Sequence, residues 1–277
     1  MKKVFVVGTA RDCSATLEQD VNRVLFAFGE KCELHWLIIE SDSSDNSIEI
    51  LKSLKSRIPN FDYKSFSKLV NIYPERTQRL AFCRNEYLKE IKKLDSSFEL
   101  IAVMDFDGIN SLLSPQSIES CWKIKDWSVQ TANQEGPYFD IWALRHQSWC
   151  PNDWITEYNK LKAKGMKSSK ALHKSLYVKM VTIPRESDPI EVESAFGGFA
   201  LYKRECFASA IYEGMSDGKA VCEHVSLHQT IRKSGGKILI NPGLINAGYT
   251  SHTLILKPTI KIKTSIKAIL KKRRQKL

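Results

Sequence analysis

No stretch of this 277-residue chain approaches the ~20 consecutive apolar residues of a membrane-spanning helix, so no span is expected. Met1-Lys2-Lys3 and the apolar run Val4 to Val7 begin like an export signal. Gly8, Arg11 and Asp12 then end the run before an apolar core can form, so a cytoplasmic location is expected. Seven cysteines, at 13, 32, 83, 121, 150, 206 and 222, include no Cys-x-x-Cys pair. That lack argues against a zinc site or a disulfide framework and for reduced thiols. Internal repeats and low-complexity linkers are also missing, which removes solenoids and strings of tethered modules.

Acid is missing from residues 257–277, which carry nine Lys or Arg, so nine of the eleven net positive charges sit in the tail. The remaining 256 residues are near neutral, at +2. Ile262, Ile266, Ile269 and Leu270 fall on one helical face of the tail, among lysines and arginines. Such a basic amphipathic helix suits the anionic inner face of a membrane, as a peripheral attachment; a solvated basic tail is the alternative. The body lacks a basic surface with interleaved aromatics, so no nucleic-acid partner is expected.

Apolar runs rich in branched residues alternate with stretches of helical periodicity. Strands are expected over 3–8, 34–40, 63–66 and 98–104, with helices over 14–28, 47–58 and 75–94. The pattern predicts an α/β fold, a doubly wound and mainly parallel sheet flanked by helices. Further on, helices are expected over 117–122, 204–212 and 223–234 and strands over 129–132, 138–143, 191–202 and 237–241. Residues 153–179 read as a polar insertion with helical parts. The expected organisation is one domain over 1–256, with a nucleotide-binding half to about 110 and an acceptor half beyond it, followed by the tail.

The 98–104 strand runs straight into Asp105-Phe106-Asp107-Gly108. Carboxylates at the carboxyl end of a parallel strand lie where open α/β sheets bind ligands, and residues two apart point the same way. Asp105 and Asp107 thus suit one Mg²⁺ or Mn²⁺ that also binds phosphate oxygens; a solvated Asp-x-Asp-Gly turn is the plain alternative. Arg76, Arg79 and Arg84 recur near helical spacing and suit a diphosphate, although at least one belongs to a solvated helix face with Glu75 and Glu86. Five tryptophans between 122 and 154 read mainly as core. Asp140 and Arg145, flanking Trp142 in an apolar segment, need partners and point to a binding function.

Three segments resemble the nucleotide-sugar glycosyltransferases of the GT-A fold. Residues 39–47 (Ile-Glu-Ser-Asp-Ser-Ser-Asp-Asn-Ser) are similar to the acidic nucleoside-holding loop of family-2-like enzymes. Leu80-Ala81-Phe82-Cys83-Arg84-Asn85 matches their Ala-x-x-Arg-Asn helix, ahead of the Asp-x-Asp strand. Gly197-Gly198-Phe199 and Cys222-Glu223-His224 are similar to the glycine-bearing strand and the acidic acceptor-side motif. With residues 138–145, the last motif also resembles the cryptococcal capsule-associated mannosyltransferase-like group.

The resemblance implies transfer of a hexose from a UDP- or GDP-sugar, with Mn²⁺ or Mg²⁺, to a glycan or lipid-linked saccharide in cell-surface polysaccharide synthesis. It implies donor contacts at Thr9, Arg11, Glu40, Asp42, Arg76, Arg84 and Asp105, and metal ligands at Asp105, Asp107 and His252. Glu223 is the implied catalytic carboxylate. Asp140, Trp142, Arg145, Gly197, Gly198 and His224 are the implied acceptor contacts. Glu223-His224 departs from the usual Glu-Asp or Asp-Asp, which leaves inverting and retaining chemistry both open. Two other classes fit the same fold: a nucleotidyltransferase, disfavoured by the single glycine and arginine of 8–13, and a silent glycan-binding module, disfavoured by intact Asp105, Asp107 and Glu223.

Overall fold

A computed structural model describes residues 1–256; the basic tail, with the helix expected there, lies outside the described residues. The first half alternates regularly: β1 (Lys2–Ala10), α1 (Leu17–Phe28), β2 (Cys32–Ser41), α2 (Ser47–Arg57), β3 (Phe61–Phe66), α3 (Leu69–Ile72), α4 (Arg76–Ile91) and β4 (Phe98–Asp105). The second half continues with α5 (Pro115–Lys123), β5 (Val129–Gln134), α6 (Trp154–Ala163), α7 (Ser168–Ser175), β6 (Ile190–Val192) and β7 (Phe199–Lys203). A short hairpin of β8 (Met215–Ser216) and β9 (Lys219–Ala220) precedes α8 (Glu223–Lys233) and β10 (Ile238–Ala247).

The main sheet has eight strands in the order β3-β2-β1-β4-β7-β5-β10-β6. β7 lies antiparallel between β4 and β5, and β6 is antiparallel to β10; the other pairings are parallel. Strand alternation divides the apolar residues between two cores. Val4 and Val6 of β1, with Ala102 and Met104 of β4, face α1, α2 and α5. Phe5, Val7, Ile101 and Val103 face the other way, toward α4 and α8. Runs buried on both faces are what a covered parallel sheet requires.

Three expected elements differ. The strand expected over 191–202 is broken into β6 and β7, which lie apart in the sheet, because the positive φ of Gly197 and Gly198 turns the chain between them. Residues 138–143 form turns and irregular chain, not a strand, although Tyr138, Ile141 and Ala143 are buried. Their backbone polar groups are met locally instead: Tyr138 N–H bonds Val181 O at 2.8 Å, and Ala143 N–H bonds the Asp140 carboxylate at 3.3 Å. The helix expected over 204–212 shortens to a 3₁₀ turn at Arg204–Phe207.

Candidate active site

The carboxyl ends of β1, β2 and β4 open into a cavity of about 660 Å³, whose far wall comes from residues 139–180 and the start of α8. Asp105 ends β4. Phe106 turns into the core with 1% exposure, while Asp105 and Asp107 both line the cavity, as their spacing requires. Asp107 is exposed at the mouth, yet the surrounding protein and the Asp105 carboxylate push its carboxyl up to about 6.

The centre of the cavity is held by one buried arginine. Arg84, 2% exposed, donates from Nη2 to Asp105 at 2.8 Å and from Nε to Glu223 at 2.9 Å. Its remaining contact is the Tyr87 hydroxyl at 3.2 Å, and its guanidinium packs near the rings of Phe196 and Tyr212. The sequence predicts that Arg84 meets the donor diphosphate. In the structure it instead clamps a carboxylate from β4 to one at the start of α8. An arginine is suited to this because its planar fork bonds two carboxylates in fixed directions and stays charged when buried.

The acidic loop after β2 is mostly occupied with itself. Glu40, fully buried, accepts from Ser43 N–H at 2.8 Å and from the Ser65 hydroxyl. Asp42 accepts from the N–H groups of Leu69 and Val70 at the start of α3. Asp45 accepts from Ser14 N–H, and Asp12 from Ser44 N–H, which staples this loop to the one after β1. Neither Glu40 nor Asp42 reaches the cavity wall; Ser41 between them does. Thr9, Arg11, Arg76 and Arg79 do line it. Arg11 pairs weakly with Asp12 at 3.5 Å, Arg79 is tied to the carbonyls of Tyr73 and Pro74, and Arg76 has no partner among the described residues.

On the opposite wall, Asp140 accepts from Gly197 N–H at 2.9 Å and Ala143 N–H, and burial pushes its carboxyl up to about 6. Trp142 lines the cavity with its indole N–H buried and unpartnered. His224, 3% exposed, stacks on Phe196 with ring centroids 3.8 Å apart, and neither ring nitrogen has a hydrogen-bond partner. The Glu223 carboxylate lies 3.8 Å from its Nε2, beyond hydrogen-bond reach. Arg145 is off the wall, paired with Asp153 at 3.1 Å and bonded to the Trp142 and Leu144 carbonyls, so it supports the Trp142 turn from behind. Gly197 and Gly198 have φ of +75° and +88°, and a Cβ on Gly198 would lie 2.6 Å from Ile109. Packing against the chain itself requires this pair; only Gly198 reaches the wall.

His252 lines the same cavity, stacked on Phe139 at 5.7 Å. Among the described residues no three His, Cys, Asp or Glu groups come together as a ready-made metal site. The donor set still fits a hard divalent cation that keeps phosphate and water ligands: two carboxylates share the opening, and burial and the neighbouring Asp105 charge raise the Asp107 carboxyl. Sequence reasoning missed Phe139, Trp154, Met180 and Phe196, all on the wall opposite β1 and β2. The aromatic density of 122–154 was the only signal for the first two.

No family model and no curated protein matches the chain. Solved structures do. A mannosyltransferase from Pyrobaculum calidifontis, determined with GDP-mannose and Mn²⁺, superposes with TM-score 0.50 at 10% identity, over 88% of this chain and 56% of that one. A Mycobacterium tuberculosis glucosyl-3-phosphoglycerate synthase with UDP gives 0.42 at 13%, over 89% and 69%. S. aureus TarS 1-349 gives 0.45 at 11%, over 87% and 58%. This chain thus spans little more than half the length of the first of these. The architecture shared with the Pyrobaculum structure, a mostly parallel sheet flanked by helices, is the GT-A fold.

Proposed function

We propose that the protein is a metal-dependent glycosyltransferase that moves a hexose from a UDP- or GDP-sugar to a glycan or lipid-linked saccharide in building a cell-surface polysaccharide. The observation that carries this reading is the meeting of Asp105, Asp107 and the Arg84-clamped Glu223 in one cavity, beside the unpaired Arg76. GDP-mannose and Mn²⁺ in the Pyrobaculum enzyme support it. Asp105 and Asp107, with His252, are the residues that would hold the cation, which supplies positive charge to the departing diphosphate. Arg76 and Arg11 add charge on the same side, where negative charge grows as the glycosidic bond breaks. Glu223 faces the acceptor from α8, its carboxylate fixed by Arg84 in place of solvent. We further propose that residues 257–277 hold the enzyme at the anionic inner face of a membrane, where a lipid-linked acceptor is concentrated.

Purified protein incubated with a panel of nucleotide sugars and Mn²⁺ tests the reading. Release of nucleoside diphosphate supports it, release of pyrophosphate indicates a nucleotidyltransferase, and no release and no nucleotide-dependent thermal shift indicate a silent module. Deleting 257–277 should abolish co-sedimentation with anionic liposomes while transfer to a soluble acceptor persists; liposome binding by the deleted form rules out the tail as anchor.

A further inference from the structure

Sheet order sorts the cavity lining into two chemically different ends. Residues following β1 and β2, with the start of α4, supply Arg11, Arg76 and Arg79. The end formed by residues 139–180, 196 and 222–224 supplies no free cation among the described residues. Arg145 is committed to Asp153, and Lys179 to Glu157 at 2.5 Å, and neither reaches the wall. Arg84 lies between the ends with its charge shared by two carboxylates.

That second end holds polar atoms with nothing to bond. His224 has both ring nitrogens without a hydrogen bond at 3% exposure, and the Trp142 indole N–H is buried without an acceptor. Unmet buried donors and acceptors each cost roughly 1–3 kcal/mol, so a fold that keeps three on one cavity wall has a ligand's groups to meet them. His224 is held in place by its stack on Phe196 and an edge contact with Tyr212 at 5.8 Å, not by hydrogen bonds. Burial and the Arg84 charge keep its imidazole neutral, its pKa well below the usual range. A neutral imidazole presents one donor and one acceptor, the complement of a hydroxyl, and offers no charge to an anion.

Resting on the glycosyltransferase reading, we infer that His224 and Trp142 form a subsite for an uncharged, polyhydroxylated acceptor, a saccharide without phosphate or carboxylate at the contacted ring. His224 bonds an acceptor hydroxyl, the indole N–H donates to a second oxygen, Phe196 backs the His224 ring, and Phe139 adds apolar surface to the same end of the cavity. An anionic acceptor would meet Asp140 and Glu223 here, and the one nearby cation, Arg84, is already bonded to Asp105 and Glu223, so the subsite discriminates against it. The structure thereby divides specificity: charge reads the donor, and neutral hydrogen bonding reads the acceptor.

The test uses the full chain labelled with ¹⁵N-histidine, with diamagnetic Mg²⁺ and GDP or UDP present, and the His224 signals assigned through His224→Phe. Titration with a neutral methyl hexoside or disaccharide should move the His224 ring nitrogens saturably at millimolar concentrations, while sugar phosphates and 3-phosphoglycerate leave them in place. His224→Phe keeps the stack and should weaken saccharide binding about tenfold, and His224→Gln should recover part of that loss. A thermal melt of each variant separates lost contact from lost fold. Tighter binding of the anionic probes, or no movement of His224 with any neutral saccharide, overturns the inference. If nucleotide produces no thermal shift in the wild-type protein, the glycosyltransferase reading itself fails, which is a separate outcome.

Discussion

The two walls of the cavity use their polar groups in opposite ways. On the β1–β2 side the loops consume their own carboxylates: Asp12, Glu40, Asp42 and Asp45 all accept backbone or hydroxyl protons from these loops or from the adjoining β3 and α3. That self-satisfied scaffold leaves cations facing inward. On the 139–224 side aromatic rings and neutral groups set the shape, and several polar atoms stay unmet. A rigid charged wall suits a ligand recognised by its phosphates, and a neutral wall suits one recognised by its hydroxyl pattern.

Removing the residue that joins the walls should have the largest effect. Arg84→Met leaves Glu223 buried without its counter-charge and should lower stability by about 3–5 kcal/mol in urea unfolding, and abolish transfer. Adding Glu223→Gln should restore part of that stability. A single-variant loss below about 1 kcal/mol would mean the clamp contributes little beyond its geometry.

Asp107→Asn addresses the charged wall alone. Being exposed, Asp107 contributes little to the core, so the melting temperature should hardly move while nucleoside diphosphate release drops by roughly 1000-fold. Activity that survives both this change and EDTA removes the metal from the mechanism.

Acid should open the two sides in sequence. His228 of α8 is fully buried between the Ser194 and Tyr202 hydroxyls, at 2.9 Å from each, and burial lowers its pKa to about 3. Its folded pKa lies below the unfolded value near 6.5, so its full contribution holds above pH 6.5 and is lost as pH falls from there toward 3. The loss should reach roughly 2–4 kcal/mol. Asp12 and Asp45, whose hydrogen bonds depress their pKa values, lose their contribution only below about pH 4. As pH falls toward 5, hydrogen-exchange protection relative to the intrinsic rate should therefore drop in β7 and α8 before it does in the loops after β1 and β2; the reverse order breaks the comparison.

The smallest effect is expected at Arg76. Arg76→Ala should weaken nucleoside diphosphate binding by about 3- to 10-fold at low salt, with the difference shrinking as salt rises, because its charge is exposed. A salt-independent loss points to a direct, desolvated contact instead.

What the sequence disclosed follows the same division. β1, β2 and β4 were legible because strands buried on both faces must be continuous apolar runs, and the Asp-x-Asp end was legible because alternation is local. Residues 138–143 misled because Tyr138, Ile141 and Ala143 are as apolar as a strand, while their backbone is satisfied by Val181 and Asp140, partners no periodicity announces. The Arg84–Glu223 bond spans 139 positions, and nothing local distinguishes an arginine that clamps two carboxylates from one that awaits a phosphate. In the acidic loop, composition displayed the carboxylates but not that backbone N–H groups already engage them.

The antiparallel β7 has a consequence for how the molecule comes into being. It fills the gap between β4 and β5, so the edge of β4 stays unpaired until residues 199–203 have been synthesised, almost 100 residues after β4 itself. An apolar strand with an open edge is a template for pairing with another chain. During synthesis the first four strands wait on the ribosome with that edge uncovered, and closing it needs a long loop, which slows folding. The nucleotide-side half is therefore a poor candidate for life as a separate fragment: cut after about residue 110, it exposes the strand that carries Asp105, and its most available partner is another copy of itself.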